Sequence, residues 1–107
     1  MPTINIEFDD KKVSDSEIVV LSNEIRRIIH KLTKIDDVFV YANSSRIIVK
    51  AAPIEVYVRI TASKIRNVEK LLKEIKEELG DWKKKSGFKH KINLTLWPVE
   101  WKFEIGI

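Results

Sequence analysis

Hydrophobic and polar residues alternate at the beginning of the chain. Every second position from Ile4 to Phe8 is apolar, and the positions between them are polar. This period of two is typical of a half-buried β-strand. We therefore predict a first strand over residues 3–8, with Pro2 directly before it.

A helix is predicted next. Ser14 and Glu17 have the spacing of a capping box, in which the serine side chain accepts a free backbone N–H and the glutamate reaches back to the cap. Apolar residues then recur every three or four positions, which indicates an amphipathic helix ending near Thr33. The stripe expected to be buried consists of Ile18, Leu21, Ile25, Ile28, Ile29 and Leu32.

Short segments with strand character follow. We predict a strand over residues 38–41, a turn over residues 43–45, and a short strand or hairpin arm over residues 46–50, which read RIIVK. Alternation resumes after Pro53 and predicts a strand over residues 54–60. The apolar side of that strand consists of Val56, Val58 and Ile60.

A second amphipathic helix is predicted between Ser63, as its N-cap, and Gly87, which ends the segment. A strand over residues 91–97 follows it. Pro98 is expected to interrupt that strand, and renewed alternation predicts a last strand over residues 99–105. The apolar stripe of this second helix consists of Ile65, Val68, Leu72, Ile75, Leu79 and Trp82.

The order strand, helix, strand therefore occurs twice. We interpret the chain as one α+β domain over residues 1–107, built from pseudo-repeats at about 2–50 and 53–107. Right-handed crossovers would place both helices on one face of a four-stranded mixed sheet, with short extra strands beside it. Two folds fit this order of elements, a tautomerase fold and a ferredoxin-like sandwich.

Composition excludes several kinds of site. The chain has no cysteine, so disulfides, thiolate catalysis and cysteine-bound metals are excluded, and His30 and His90 belong to no metal-binding motif. No apolar run approaches the length of about 18 residues that a membrane span needs. We therefore expect a cytoplasmic protein with neither metal nor membrane partner.

Charge is abundant and nearly balanced, with 20 basic and 16 acidic residues and a net charge of +4. The abundance of charged residues resembles the composition of thermophile proteins. So small an excess permits anionic partners without requiring nucleic acid, and we expect no nucleic-acid partner.

The sequence resembles the tautomerase superfamily, which includes the macrophage migration inhibitory factor and oxalocrotonate tautomerase families. The resemblance is carried by Met1 and Pro2 directly before a strand, by the duplicated plan, and by the stretches LTKIDDVFVY and PIEVYVRI. In layout it is most similar to a small uncharacterised prokaryotic tautomerase-like group. TASKIRN stands where many members carry a glycine-rich turn.

This resemblance implies a chemistry for Pro2. Removal of Met1 would leave a secondary amine, and an α-amino group has a pKa of about 8 that burial and neighbouring cations lower toward neutrality. Such a base suits proton transfer in a keto-enol carboxylate substrate without any cofactor. The resemblance implies that Lys34 and Arg59 hold the substrate carboxylate.

The resemblance also implies a homotrimer, because C-terminal strands in this superfamily dock on a neighbouring subunit. The predicted last strand presents an apolar side and an open edge, which favour pairing with another chain. Two other functions stay open. One is a tautomerase-fold trimer without catalysis, and the other is a ferredoxin-like nucleic-acid module that uses WKKKSGFKHK, where aromatic residues interleave with cations.

Overall fold

The computed structural model describes residues 2–107, which form four strands and two long helices. A short 3₁₀ helix, Ala62–Lys64, lies between the third strand and the second helix. The bounds are β1 (Thr3–Phe8), α1 (Asp15–Thr33), β2 (Phe39–Asn43), β3 (Ile54–Thr61), α2 (Val68–Ser86) and β4 (Asn93–Val99).

The strands form one mixed sheet in the order β2-β1-β3-β4. β1 is parallel to β2, β3 is parallel to β4, and the central β1 and β3 are antiparallel. Each helix therefore connects two neighbouring parallel strands. In a ferredoxin-like sandwich the parallel strands of each such unit are split by another strand. The duplicated β-α-β prediction is confirmed, and the ferredoxin-like alternative is wrong.

Both helices cover the same face of the sheet. The apolar side of β1 and β3 is fully buried there, and the buried stripe of α1, two residues of α2 and the loop residues Val13 and Val38 complete the core. Burying one such aliphatic side chain stabilises the fold by roughly 1.5–3 kcal/mol. The opposite face of the sheet has no element of the described chain packed on it as a second layer. The buried residues of the two central strands are Ile4, Ile6, Phe8, Ile54, Val56, Val58 and Ile60.

The first helix has the predicted boundaries. Ser14 Oγ accepts the Glu17 N–H at 3.2 Å, and the Ser14 N–H donates to Glu17 Oε1 at 3.0 Å, so the capping box is confirmed. The helix ends at Thr33, and Lys34 is its C-cap. The predicted stripe is buried except for Leu32, which is half-buried against the core.

The second helix begins later than predicted. Ser63 lies in the 3₁₀ helix, and the N-cap is Asn67, whose Oδ1 accepts the Lys70 N–H at 3.0 Å. The extended backbone of Ile65 separates the 3₁₀ turn from the helix, so a cap at Ser63 could not lead into it. Gly87 is confirmed as the C-cap, at a positive φ that glycine adopts without steric cost.

Two predicted short strands are wrong. Residues 46–50 and 100–107 have no strand structure, and Val49 in the first segment is fully exposed. A segment with strand character becomes a strand only where another strand satisfies its backbone groups, and within residues 2–107 no strand pairs with either segment. Asn43 belongs to β2 rather than to a turn, and Pro98 lies within the edge strand β4, paired with Ile60. An edge position tolerates the missing N–H of proline.

Neither helix has the length and apolar composition needed to cross a membrane, as far as residues 2–107 are concerned.

Candidate active site at the N-terminal end of β1

The sheet topology brings four chain segments to one edge. β1 and β2 both begin there, whereas β3 and β4 both end there, because these pairs run in opposite directions. The loop between α1 and β2 and the 3₁₀ turn after β3 therefore flank the start of β1 on its two sides. This is the edge at which Pro2 lies.

Pro2 is a buried residue at this edge. Its carbonyl oxygen accepts the Phe39 N–H at 3.3 Å, so the chain is already held against β2 one residue before β1 begins. Buried and half-buried residues alternate from Pro2 to Phe8, which puts the proline ring on the same side as Ile4, toward the helices. Met1, whose removal would free the Pro2 amine, lies outside the described residues.

Lys34 lies beside this edge, where α1 ends. Its N–H donates to the His30 carbonyl at 2.8 Å, and its backbone is left-handed, with φ 61° and ψ 16°. Among residues 2–107 it is the non-glycine residue with a positive φ. The side chain is exposed and forms no ion pair with any residue in that range.

Arg59 lies near the same edge but on the open face of the sheet. It is opposite Thr3 in the register, and Thr3 points away from the helices. Its Nη1 donates to Asn5 Oδ1 at 2.5 Å, and its guanidinium carbon is 5.1 Å from the centre of the Trp97 ring. The structure therefore brings Pro2 and Lys34 to one edge, while Pro2 and Arg59 belong to opposite faces of the sheet within one chain.

A groove of about 410 Å³ opens between the end of α1 and the start of α2. We call it the basic groove, because four cations and a single carboxylate line it. Lys34 is one of those cations, so the basic groove borders the edge at which Pro2 lies. Its lining residues are Leu32, Thr33, Lys34, Lys64, Ile65, Arg66, Asn67, Lys70, Leu71 and Glu74.

Sequence reasoning missed three cations of the basic groove, Lys64, Arg66 and Lys70. The predicted start of the second helix at Ser63 placed Lys64 and Arg66 on that helix, where Lys70 does lie. Asn67, a strong N-cap residue, was the signal that could have moved the helix start and left Lys64 and Arg66 in the connection after β3. That connection begins at the edge at which Pro2 lies, because β3 ends there.

The stretch WKKKSGFKHK does not present its aromatic side chains to a ligand. Trp82 and Phe88 are half-buried against the core, with ring centroids 5.1 Å apart. His90 packs edge-on to Phe88 at 5.4 Å, and its Nε2 lies 2.7 Å from Glu17 Oε2. Base stacking requires exposed rings, so this packing removes the aromatic part of the nucleic-acid hypothesis.

Comparison with protein-family models and with curated proteins found no match. Solved structures do match over nearly the whole chain. A malonate semialdehyde decarboxylase, solved also as a variant with its first residue, a proline, changed to alanine, has a TM-score of 0.71 at 12% identity, over 98% of this chain and 92% of its own.

Two further solved structures, with different printed names, are also similar to this chain. A fused 4-OT described as a symmetric trimer has a TM-score of 0.65 at 16% identity, over 92% of this chain and 85% of its own. A macrophage migration inhibitory factor-like protein from Entamoeba histolytica has a TM-score of 0.64 at 11% identity, over 96% and 95% respectively. The chain therefore has the tautomerase fold, and the resemblance seen in the sequence is confirmed for the fold.

Proposed function

We propose that this protein is a cofactor-independent keto-enol tautomerase whose general base is the amine of Pro2. The observation that carries the proposal is the burial of Pro2 at the sheet edge that Lys34 and the basic groove share. Burial disfavours the protonated amine, and so do nearby cations, so a free Pro2 amine would be a base near neutral pH. The decarboxylase in which the first proline was replaced lends further support.

The reaction needs one proton and one base. In ketonisation the Pro2 nitrogen accepts the hydroxyl proton of the enol, the carbonyl forms, and the same proton is returned to the carbon of the former double bond. No atom is gained or lost overall. Lys34 would hold the substrate carboxylate beside Pro2, and its ammonium would also favour the negative charge that develops on the enolate oxygen.

We further propose that the protein is a homotrimer. The open face of the sheet carries exposed aromatic residues on both edge strands, Phe39 and Tyr41 on β2 and Trp97 on β4. The exposed tail after β4 ends with further large apolar residues, including Phe103 and Ile105. Surfaces of this kind mark sites of association. Trimers among the fused 4-OT structures also support this proposal. Sedimentation equilibrium that gives the mass of a monomer would refute it.

The test of catalysis begins with the intact mass of the protein as isolated, since retained Met1 would leave Pro2 as an amide without a basic nitrogen. Ketonisation of 2-hydroxymuconate and of the enol form of phenylpyruvate is then followed spectroscopically for the protein and for Pro2→Ala. Loss of at least about 100-fold in kcat/KM is expected, as for removal of a general base.

Pro53→Ala is the matched control, because Pro53 directly precedes β3 as Pro2 precedes β1 but lies at the opposite edge of the sheet. Its rate should equal that of the unchanged protein. Equal rates for Pro2→Ala and the unchanged protein would refute the proposed base and leave the tautomerase-fold trimer without catalysis as the better hypothesis.

A further inference from the structure

We infer that His30 is a positioning residue for Lys34. Its imidazole holds the connection between α1 and β2, residues 34–38, in the conformation that keeps Lys34 at the edge where Pro2 lies. The inference rests on the proposed function, in which Lys34 binds the substrate carboxylate, and it adds a residue on which that binding depends. The sequence alone assigns His30 to no site.

The first argument is that His30 contacts the chain on both sides of Lys34. Its carbonyl oxygen accepts the Lys34 N–H at 2.8 Å, and its Nδ1 lies 2.9 Å from the carbonyl oxygen of Ile35. The first of these bonds is the usual backbone bond at the end of a helix. The second joins a side chain to a carbonyl five residues further along the chain, beyond Lys34. One residue therefore fixes the peptide groups before and after Lys34.

The second argument is the direction of the side-chain bond. A carbonyl oxygen can only accept, so Nδ1 of His30 must carry the proton, in the neutral imidazole as well as in the imidazolium. The bond to Ile35 is therefore kept when the ring ionises. Asp36 Oδ1 lies 3.6 Å from the same nitrogen, but its side chain is 93% exposed, and an ion pair so exposed contributes little.

The third argument is that the conformation of Lys34 needs support. A left-handed backbone is unfavourable for lysine, so the contacts around the residue must hold it there. Thr33 provides one such contact, because its Oγ1 accepts the Ile35 N–H at 3.3 Å. The bond from His30 provides the other at the same residue, through the Ile35 carbonyl. Both backbone groups of Ile35 are thus occupied by side chains from the last turn of α1.

The fourth argument is position. The connection that carries Lys34 is held by His30 where it leaves α1, and it reaches β2 where the Phe39 N–H donates to the Pro2 carbonyl at 3.3 Å. Without the imidazole bond, Lys34 would occupy its place beside Pro2 for a smaller fraction of the time. Substrate would then bind only that fraction, so KM would rise while kcat in the bound complex would stay the same.

The kinetic experiment compares two variants of His30. His30→Phe keeps an aromatic ring but has no donor, whereas the amide nitrogen of His30→Asn can take the place of Nδ1 and donate to Ile35. KM for 2-hydroxymuconate should rise about fivefold in His30→Phe with kcat unchanged, which corresponds to about 1 kcal/mol, the size of one hydrogen bond. His30→Asn should restore KM to within about twofold of the unchanged protein.

Two NMR measurements test the bond without reference to catalysis. Long-range proton–nitrogen spectra of the neutral ring should show the proton of His30 on Nδ1, since the bond to Ile35 requires it there. Hydrogen exchange of the Lys34 amide reports opening of the helix end. That exchange should be about fivefold faster in His30→Phe and unchanged in His30→Asn.

His90→Phe is the matched control, because His90 contacts Glu17 in the first turn of α1, at the other end of that helix. It should leave both KM and the exchange of the Lys34 amide unchanged, and so should Asp36→Asn. An unchanged KM in His30→Phe, an equal rise in His30→Asn, or a neutral ring protonated on Nε2 would each overturn the inference. Faster Lys34 exchange in His30→Phe, in a protein that shows no ketonisation, would support the hydrogen bond and refute the proposed function.

Discussion

The left-handed backbone of Lys34 allows the conformational strain of this residue to be measured separately from its proposed binding of the substrate carboxylate. A non-glycine residue in this conformation costs about 1–2 kcal/mol, because its Cβ crowds the following carbonyl oxygen. Glycine has no Cβ and is the usual residue at such a helix end. We therefore compare Lys34→Gly with Lys34→Ala, which both remove the ammonium but differ in the strain that they leave.

The expected difference follows from the conformation of Lys34. Glycine relieves the strain of about 1–2 kcal/mol but loses about 0.4–1 kcal/mol through its more flexible unfolded chain. Lys34→Gly should therefore be more stable than Lys34→Ala by about 0.5–1 kcal/mol, or roughly 2–6 °C in melting temperature. No ion pair of the described chain is lost in either variant, so the backbone explains the whole difference.

Two assays check this prediction. Thermal unfolding at a fixed subunit concentration measures the stability of both variants, since association would make the melting temperature depend on concentration. Ketonisation kinetics measure the role of the side chain, and both variants should show the same rise in KM because neither carries the ammonium. A Lys34→Gly protein less stable than Lys34→Ala would refute the backbone argument, and an unchanged KM in both would refute the carboxylate role.

Two further predictions concern helix ends. Asn67→Ala should destabilise the protein by about 1 kcal/mol in urea unfolding, because the Lys70 N–H loses its partner. Ser63→Ala should change the stability by less than about 0.5 kcal/mol. A larger loss of stability for Ser63→Ala than for Asn67→Ala would contradict a cap at Asn67. The pKa of Glu17 is lowered from 4.5 by the hydrogen bond from the Ser14 N–H and then by His90. The contribution of the ionised Glu17 to the free energy of unfolding is therefore complete above pH 4.5 and is lost as the pH falls through the lower folded pKa. Glu17→Gln should make the free energy of unfolding less dependent on pH in this acid range. An unchanged pH dependence would contradict this assignment.

The sequence predicted best where the signal is local. The capping box at Ser14 and Glu17 and the stripe behind it act within a few residues, and they set both ends of α1. Alternation likewise sufficed for β1 and β3, because these central strands bury one face completely. The fold class followed from the order of these elements.

Predictions failed where the outcome depended on distant partners. Residues 46–50 have the β-branched composition of a strand and residues 99–105 alternate as well as β1 does, yet a strand also needs a neighbour, and no short-range pattern reports one. The basic groove was missed for a related reason. Because the second helix was predicted to start at Ser63, Lys64 and Arg66 were assigned to a helix surface rather than to the connection after β3. A cap four residues further along changes which side chains reach the sheet edge.

The separation of Pro2 and Arg59 limits how a complete site can form. Within one chain the proline ring points toward the helices, and the guanidinium lies on the open face between Asn5 and Trp97. Arg59 can therefore serve a Pro2 amine only if association brings the open face of one copy against the edge of another.

The trimer and the role of Arg59 are thus linked within our proposal. Arg59→Ala should raise KM for 2-hydroxymuconate in the trimer, while Lys34→Ala should raise it whatever the state of association. If the protein sediments as a monomer and is active, Arg59 has no route to the substrate. The substrate carboxylate would then be bound by Lys34 without Arg59.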